Sequence, residues 1–296
     1  MPEPTRFVFM AMGSECILDL CHDGTLAAEA AEAEVFRIER RLSRYRDDSI
    51  LSKINRIAAA GGCIEVDEET AALIDYAFAC YKKSDGLFDI TTGILRRAWN
   101  FSSGQSPPPA EIERLLPFVG MDKILWERPK LSFPVSGVEL DFGGIGKEYA
   151  ADRAAAACVE LGVENGFVNL GGDIRVIGPK PDGSPWPVSI CNPKSPEQAL
   201  SVLHLTGGGL ATSGDYERFI TIDGLRYGHI LSPRTGWPSR GLAGVSVVAE
   251  TCLLAGSVST IAMLKGAAGP GWLATIGLPS FWVDNEGQIG SHIWPR

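Results

Sequence analysis

Apolar side chains at Leu26, Val35, Ile38 and Leu42 recur at helical spacing, and acidic residues early with Arg40, Arg41 and Arg44 late follow the order a helix dipole favours. This predicts a helix over Ala27 to Arg44. Leu73, Ile74, Ala77, Phe78 and Tyr81 form a second stripe, with Asp67 placed to cap a helix over Glu68 to Lys83 that Gly86 ends. Ser, Gln and three consecutive prolines between Gly104 and Pro109 fit neither helix nor central strand, so a loop and a possible subdomain seam are expected there. Beyond it the pattern turns strand-rich. β-branched or aromatic runs cover Lys130 to Phe142, Gly166 to Ile177, Pro187 to Cys191, Leu200 to Leu205, Phe219 to Ile222, Tyr227 to Leu231 and Val245 to Ala249, with Asp223-Gly224 as a hairpin turn. Two Ala-rich helices interrupt them, Lys147 to Leu161 closed by Gly162 and Cys252 to Leu264 closed by Gly266. The mixture predicts an α+β chain rather than regular βαβ units.

Composition narrows the class. The 296 residues are 45% hydrophobic and 21% charged, enough for a sizeable core, and the formal charge of −9 argues against nucleic acid or an anionic membrane as the main partner. The early apolar run Phe7 to Met12 is too short to span a membrane and has no basic start, so a cytoplasmic protein is expected. Seven scattered cysteines without a Cys-x-x-Cys pair suggest neither disulfides nor zinc.

Three glycine-rich segments carry candidate chemistry. Asp141-Phe-Gly-Gly-Ile-Gly-Lys147 sits between an expected strand and a helix, where backbone amides and Lys147 suit a phosphate, although a plain tight turn fits equally. Asp141 and Glu148 exclude a P-loop. Asn169 to Ile174 holds a glycine pair within an expected strand, and Gly207 to Gly214 reads as a third loop, richer in hydroxyls. His229 stands at a strand end beside a Pro-Arg-Thr-Gly turn, a good place for proton transfer, whereas His22, His204 and His292 lack polar neighbours and read as structural. No serine-hydrolase order or paired-carboxylate spacing is present.

Read in order, Met12 to Ser14, Tyr45 to Asn55, Phe88 to Thr91, Asp141 to Tyr149 with Asp152, Asn169 to Ile174, Ala211 to Gly214 and Gly228 to Gly236 resemble the ApbE family, the FAD:protein FMN transferases. The resemblance spans nearly the whole chain. It implies a single T-fold-like α+β domain over residues 1–296, with mixed, mainly antiparallel sheets and flanking helices. It also implies binding of FAD and, with Mg2+, transfer of the FMN half to a Thr or Ser hydroxyl of an acceptor flavoprotein, releasing AMP. Family positions for flavin binding fall on Met12, Tyr45, Trp99, Asn100, Phe101, Asp141, Lys147 and Leu231, and His229 matches the family histidine expected to act as base.

The chain departs from the family pattern at three places. The segment Ala255-Gly-Ser-Val-Ser-Thr260 has Gly256 where the family has its metal-binding Asp, leaving Ser259, Thr260 and the backbone carbonyl of Gly144 as the implied metal donors. Glu148 stands where the family has Gly, and is either a replacement for the lost charge or a solvated helix-start residue. Ser232 replaces the Asp of the family's His-x-x-Asp-Pro. A flavin-binding protein without transferase activity, and slow hydrolysis of FAD to FMN and AMP, are the alternatives to transfer.

Overall fold

A computed structural model describes residues 4–21, 24–193, 195–216 and 218–294. His22 lies outside the described residues. Along the chain run β1 (Thr5–Ala11), β2 (Ser14–Leu20), α1 (Thr25–Leu42), α2 (Ile50–Ala60), β3 (Cys63–Glu65) and α3 (Glu68–Lys83). A 3-10 helix (Ile90–Arg97), α4 (Pro109–Leu115), β4 (Leu125–Glu127), β5 (Lys130–Ser132) and α5 (Gly146–Glu160) follow. Then come β6 (Gly166–Leu170), β7 (Asp173–Gly178), β8 (Trp186–Asn192), β9 (Ser195–Leu205), β10 (Gly208–Gly214), β11 (Phe219–Ile222) and β12 (Leu225–Gly228). The chain closes with β13 (Leu242–Ala249), α6 (Cys252–Lys265), α7 (Gly269–Ile276), β14 (Ser280–Asp284) and β15 (Ile289–His292).

Eight strands form one antiparallel sheet in the order β1-β2-β6-β7-β10-β13-β14-β15, which is also chain order. Everything else is an insertion between neighbours of this meander. One face carries α5 and α6, with α1 packed on α5. Ala150, Ala151, Ala154 and Ala155 make the α5 surface flat enough for that close approach, and Leu18, Val168, Val245 and Val247 meet the helices from the sheet. The other face buries Ile174, Val176, Leu210 and Phe281 under Trp186, Ile190, Leu203 and Leu205 of the β8–β9 hairpin. The most apolar 18-residue window within Cys252–Ile276 has a mean hydropathy of 1.4, high enough for a membrane span, yet 61% of that window is buried within the protein.

A second core gathers α2, α3, the three-stranded β3-β5-β4 sheet and the segment 138–145. Phe133 and Phe142 are almost fully buried in it, each contributing roughly 2–3 kcal/mol. Leu42, Tyr149 and Trp272 touch both cores. Ion pairs reinforce the junction: Arg37 and Arg41 of α1 reach Glu69 and Asp67 at the start of α3, and the Tyr149 hydroxyl of α5 donates to Glu69 at 2.9 Å. The loop after Gly104 joins residues of one cluster, because Ile94, Leu95 and Trp99 before it pack with Ile112 and Leu115 after it.

The helices expected from periodicity match α1, α3, α5 and α6 within three residues at each end, and Asp67 caps α3 by accepting from the Thr70 amide at 3.1 Å. α3 itself ends at Lys83 as expected, with Ser84 as its C-cap and left-handed Gly86 donating its amide back to the Tyr81 carbonyl at 2.8 Å. Other expectations are corrected. Pairing stops at Ser132, because Pro134 and the left-handed Gly137 turn the backbone away and Asn55 supplies the hydrogen bonds of Leu140 instead. The glycine pair Gly171-Gly172 is a turn that splits the predicted strand into β6 and β7, both glycines having positive φ. β12 ends at Gly228, short of Leu231. Gly207 to Gly214 is no loop: residues 208–214 form β10, paired on both sides by β7 and β13.

Candidate functional site

One end of the large sheet gathers most of the motif segments. The β1–β2 turn, the β6–β7 turn and the end of β10 lie there together, since Cys16 pairs with Leu170, Leu210 with Ile174, and β10 runs on past the start of β7. Met12 holds a left-handed conformation in the first turn, and its amide donates to Glu39 Oε1 of α1 at 2.5 Å. The Gly171 amide donates to the Glu15 carbonyl at 3.1 Å, locking the two turns side by side. Lys147, at the start of α5, extends over this corner. Its Nζ lies 2.7 Å from Asp173 Oδ2 and donates to the Gly171 carbonyl at 3.4 Å.

The Asp141 loop is held rigidly from behind. Asn55 donates to the Leu140 carbonyl at 2.9 Å and accepts from the Leu140 amide at 2.8 Å. Asp141 then accepts from the Gly143 amide at 2.8 Å and pairs with Arg44 at the end of α1. Arg44 also donates to the Tyr45 hydroxyl at 3.0 Å and stands 5.1 Å from its ring centre. Tyr45 itself is 78% exposed, an aromatic face with no apolar cover. The Phe88 to Thr91 motif is a support rather than a contact surface: buried Asp89 accepts from the Thr91 amide, the Thr91 hydroxyl and the Met121 amide.

Trp99 is only 4% exposed. Its Nε1–H donates to the Gly236 carbonyl at 2.7 Å, its ring stacks on Phe101 at 5.5 Å and meets Trp237 edge-on at 5.3 Å. Trp99 thereby clamps the 232–236 turn, which closes on itself through the Gly236 amide donating to the Ser232 carbonyl at 2.8 Å. Asn100 is exposed, while Phe101 and Leu231 are half-buried beside the clamp. Exposed His229 directly follows β12. A Cβ on the preceding Gly228 would stand 2.8 Å from Asp215 Cα, so only glycine lets the hairpin dock against the chain just after β10.

The start of α6 meets the start of α5 in a fixed register. Asp152 Oδ1 and Oδ2 accept from the Cys252 and Leu253 amides, each at 2.9 Å, satisfying orphan donors at the α6 N-terminus. One turn back on α5 is Glu148, and one turn forward on α6 is Gly256. A Cβ at Gly256 would lie 2.5 Å from Glu148 Cγ and 2.6 Å from its Oε1, so the Glu148 side chain fills the space glycine leaves. Glu148 is 7% exposed, and its Oε2 has no hydrogen-bond partner. Burial, reinforced by the nearby Asp173 carboxylate, pushes its pKa up to about 8. The solvated helix-start reading of Glu148 is therefore overturned. Farther along the same face of α6, Ser259 and Thr260 share hydrogen bonds with Ser213 of β10 at 2.7 and 2.9 Å. Gly144 is half-buried in the loop before α5.

The structure brings Met12 and Lys147 to one corner and Asp141 and Tyr45 to another, joined by α1. Ser259 and Thr260 are linked through Ser213 to β10, and the hairpin that precedes His229 docks on Asp215 just beyond that strand. Trp99 is set back behind Asn100 and Phe101. Sequence reasoning assigned no role to Ser213, Asp173 or Asp152. All three stand within the quoted motifs, but their partners come from distant elements. Among the described residues no cluster of three His, Cys, Asp or Glu side chains is arranged to hold a metal.

Residues 12–280 match the model of the ApbE family. A Haemophilus influenzae protein named FAD:protein FMN transferase is 30% identical over 266 residues, covering 84% of this chain and 77% of that protein. The crystal structure of an ApbE protein from Thermotoga maritima superposes with a TM-score of 0.89 at 33% identity, covering 98% of this chain and 97% of the other. The apo flavinyl transferase ApbE of Pseudomonas stutzeri gives 0.87 at 30% identity, covering 98% and 95%.

Proposed function

Because the chain belongs to the ApbE family, we propose that it is an FAD:protein FMN transferase, which moves the FMN half of FAD onto a Thr or Ser hydroxyl of an acceptor flavoprotein and releases AMP. The observation that carries this reading is the convergence of the Met12, Lys147 and Ser213 segments on one sheet end, with the Asp141 loop anchored beside α5. The acceptor hydroxyl oxygen forms a bond to the FMN phosphorus, the pyrophosphate P–O bond breaks, and AMP leaves with the bridging oxygen. His229 takes the hydroxyl proton. The N-terminus of α5 and Lys147 offer positive potential to the pyrophosphate, beside a 143–146 loop whose own amides mostly close on Asp141 and Phe142. Met12, Tyr45 and the Asn100–Phe101 segment line the flavin site, with Leu231 beside them and Trp99 holding that segment in place. Asp141 accepts from ring or ribose donors.

The donors available to Mg2+ are all oxygens, as a hard cation requires, and the buried Glu148 carboxylate, one oxygen of which is orphaned, stands against Gly256 on the helix that carries Ser259 and Thr260. Mg2+ binds through one or two carboxylates together with substrate phosphates and water, so the lack of a three-carboxylate cluster among the described residues is compatible with it. The Gly144 carbonyl and the Ser259 and Thr260 hydroxyls are the proposed holders. When bound, the ion neutralises charge on the pyrophosphate.

The test is AMP release from FAD by the purified full chain, with and without Mg2+ and with and without a flavoprotein acceptor carrying a target Thr. Release that depends on the acceptor supports transfer, and His229→Ala should cut it about 100-fold while FAD affinity stays within about threefold. Acceptor-independent release would instead identify FAD hydrolysis. Tight FAD binding without AMP under any condition would identify a flavin-binding protein.

A further inference from the structure

Resting on the transferase reading above, we propose that Glu148 is the charged protein ligand of the divalent cation, delivered from α5 into the space that Gly256 leaves on α6. Three independent observations point there. The Glu148 carboxylate is 7% exposed and one of its oxygens has no partner, an unfavourable state unless a cation or proton meets it. Its position is imposed from outside by Asp152, whose two hydrogen bonds to the α6 N-terminus set Glu148 opposite Gly256. The hydroxyls of Ser259 and Thr260 follow Gly256 at i+3 and i+4, on the same helix face and about 5 Å farther along the axis.

This arrangement offers one carboxylate and two hydroxyls at the edge of the loop that faces the phosphates. Lys147, the adjacent cation, lies 2.7 Å from Asp173. A side chain at position 256 would require the Glu148 side chain to move, because its Cβ would stand 2.5 Å from Glu148 Cγ. In this chain the carboxylate at that contact comes from α5.

The experiment is a Mn2+ titration of the full chain in the presence of FAD, without acceptor, with free Mn2+ read by electron paramagnetic resonance. The unsubstituted chain should bind one Mn2+. Glu148→Gln, nearly isosteric, should weaken that binding at least tenfold while metal-free FAD affinity stays within threefold and thermal unfolding remains cooperative. Gly256→Asp alone should give no gain, whereas Glu148→Gly with Gly256→Asp should return Mn2+ affinity to within fivefold. Unchanged Mn2+ binding in Glu148→Gln overturns the proposal, and that variant decides alone should the double variant not fold. If the unsubstituted chain transfers FMN and Glu148→Gln still binds Mn2+ normally, only the ligand assignment fails. If the unsubstituted chain neither binds FAD nor releases AMP, the transferase reading fails and this inference with it.

Discussion

Replacing Trp99 with Phe separates two roles that an aromatic residue in this segment can play. The Trp99 ring is 4% exposed and its Nε1–H is the donor to the Gly236 carbonyl at 2.7 Å. Phe keeps an aromatic surface for Phe101 and Trp237 but removes that donor. Leaving a buried carbonyl unpaired costs roughly 1–3 kcal/mol, and the lost ring adds about 1 kcal/mol of packing. The expected destabilisation is about 3 kcal/mol, or a fall in Tm of about 5 °C for a chain of this size. FAD affinity, measured by titration well below the transition, should change less than about threefold, because the ring lies behind the proposed flavin site. Transfer should slow, since the clamped turn follows His229. A flavin stacked on an aromatic ring draws roughly 1–3 kcal/mol from it, as a nucleobase does. An unchanged Tm with FAD affinity reduced tenfold or more would refute the clamp and place the ring against the flavin.

Three further outcomes follow from the geometry. Asp152→Ala removes both acceptors at the α6 N-terminus, leaving only Thr251 as cap, and should cost about 2–3 kcal/mol in denaturant unfolding and weaken Mn2+ binding with it. Gly228→Ala forces a Cβ against Asp215 and should lower the transfer rate at least tenfold in a protein that still folds and binds FAD, measured by parallel AMP and FAD-binding assays. Arg37 holds the Glu34 and Glu69 carboxyls below their ordinary value of 4.5, so the unfolded chain binds more protons in acid; that stability is present above about pH 4.5 and is lost as pH falls through the depressed values. Arg37→Met should flatten this acid limb and cost about 1 kcal/mol at neutral pH, after allowance for solvent screening, in pH-dependent urea unfolding.

The long helices were legible because each pairs a buried stripe with local capping chemistry, as at Asp67 and α3. The β1–β2 hairpin was not. Phe7 to Met12 reads as an apolar run, and its turn places Met12 as well as Gly13 in the left-handed region, with the Met12 amide held by Glu39 of α1. The Lys130 to Phe142 run has strand composition, but Asn55 of α2 takes over its hydrogen bonding, a tertiary choice invisible to periodicity. β10 was hidden by its glycines, which two flanking strands tolerate. At the site, the order of short motifs was readable and their division of labour was not. Trp99 and Asp89 support it from within, while Glu148, which composition could place equally in solvent, is buried against a glycine far away in sequence. That pairing emerges only from the α5–α6 register, which Asp152 sets.

Covalent transfer of FMN leaves a mass signature on the acceptor that mass spectrometry reads. The purified chain, FAD and Mg2+ should increase the acceptor mass by one FMN less water on a single Thr or Ser, with AMP formed in equal amount and neither product formed when FMN replaces FAD. Intact FAD and an unmodified acceptor after complete saturation with both would rule out the transfer.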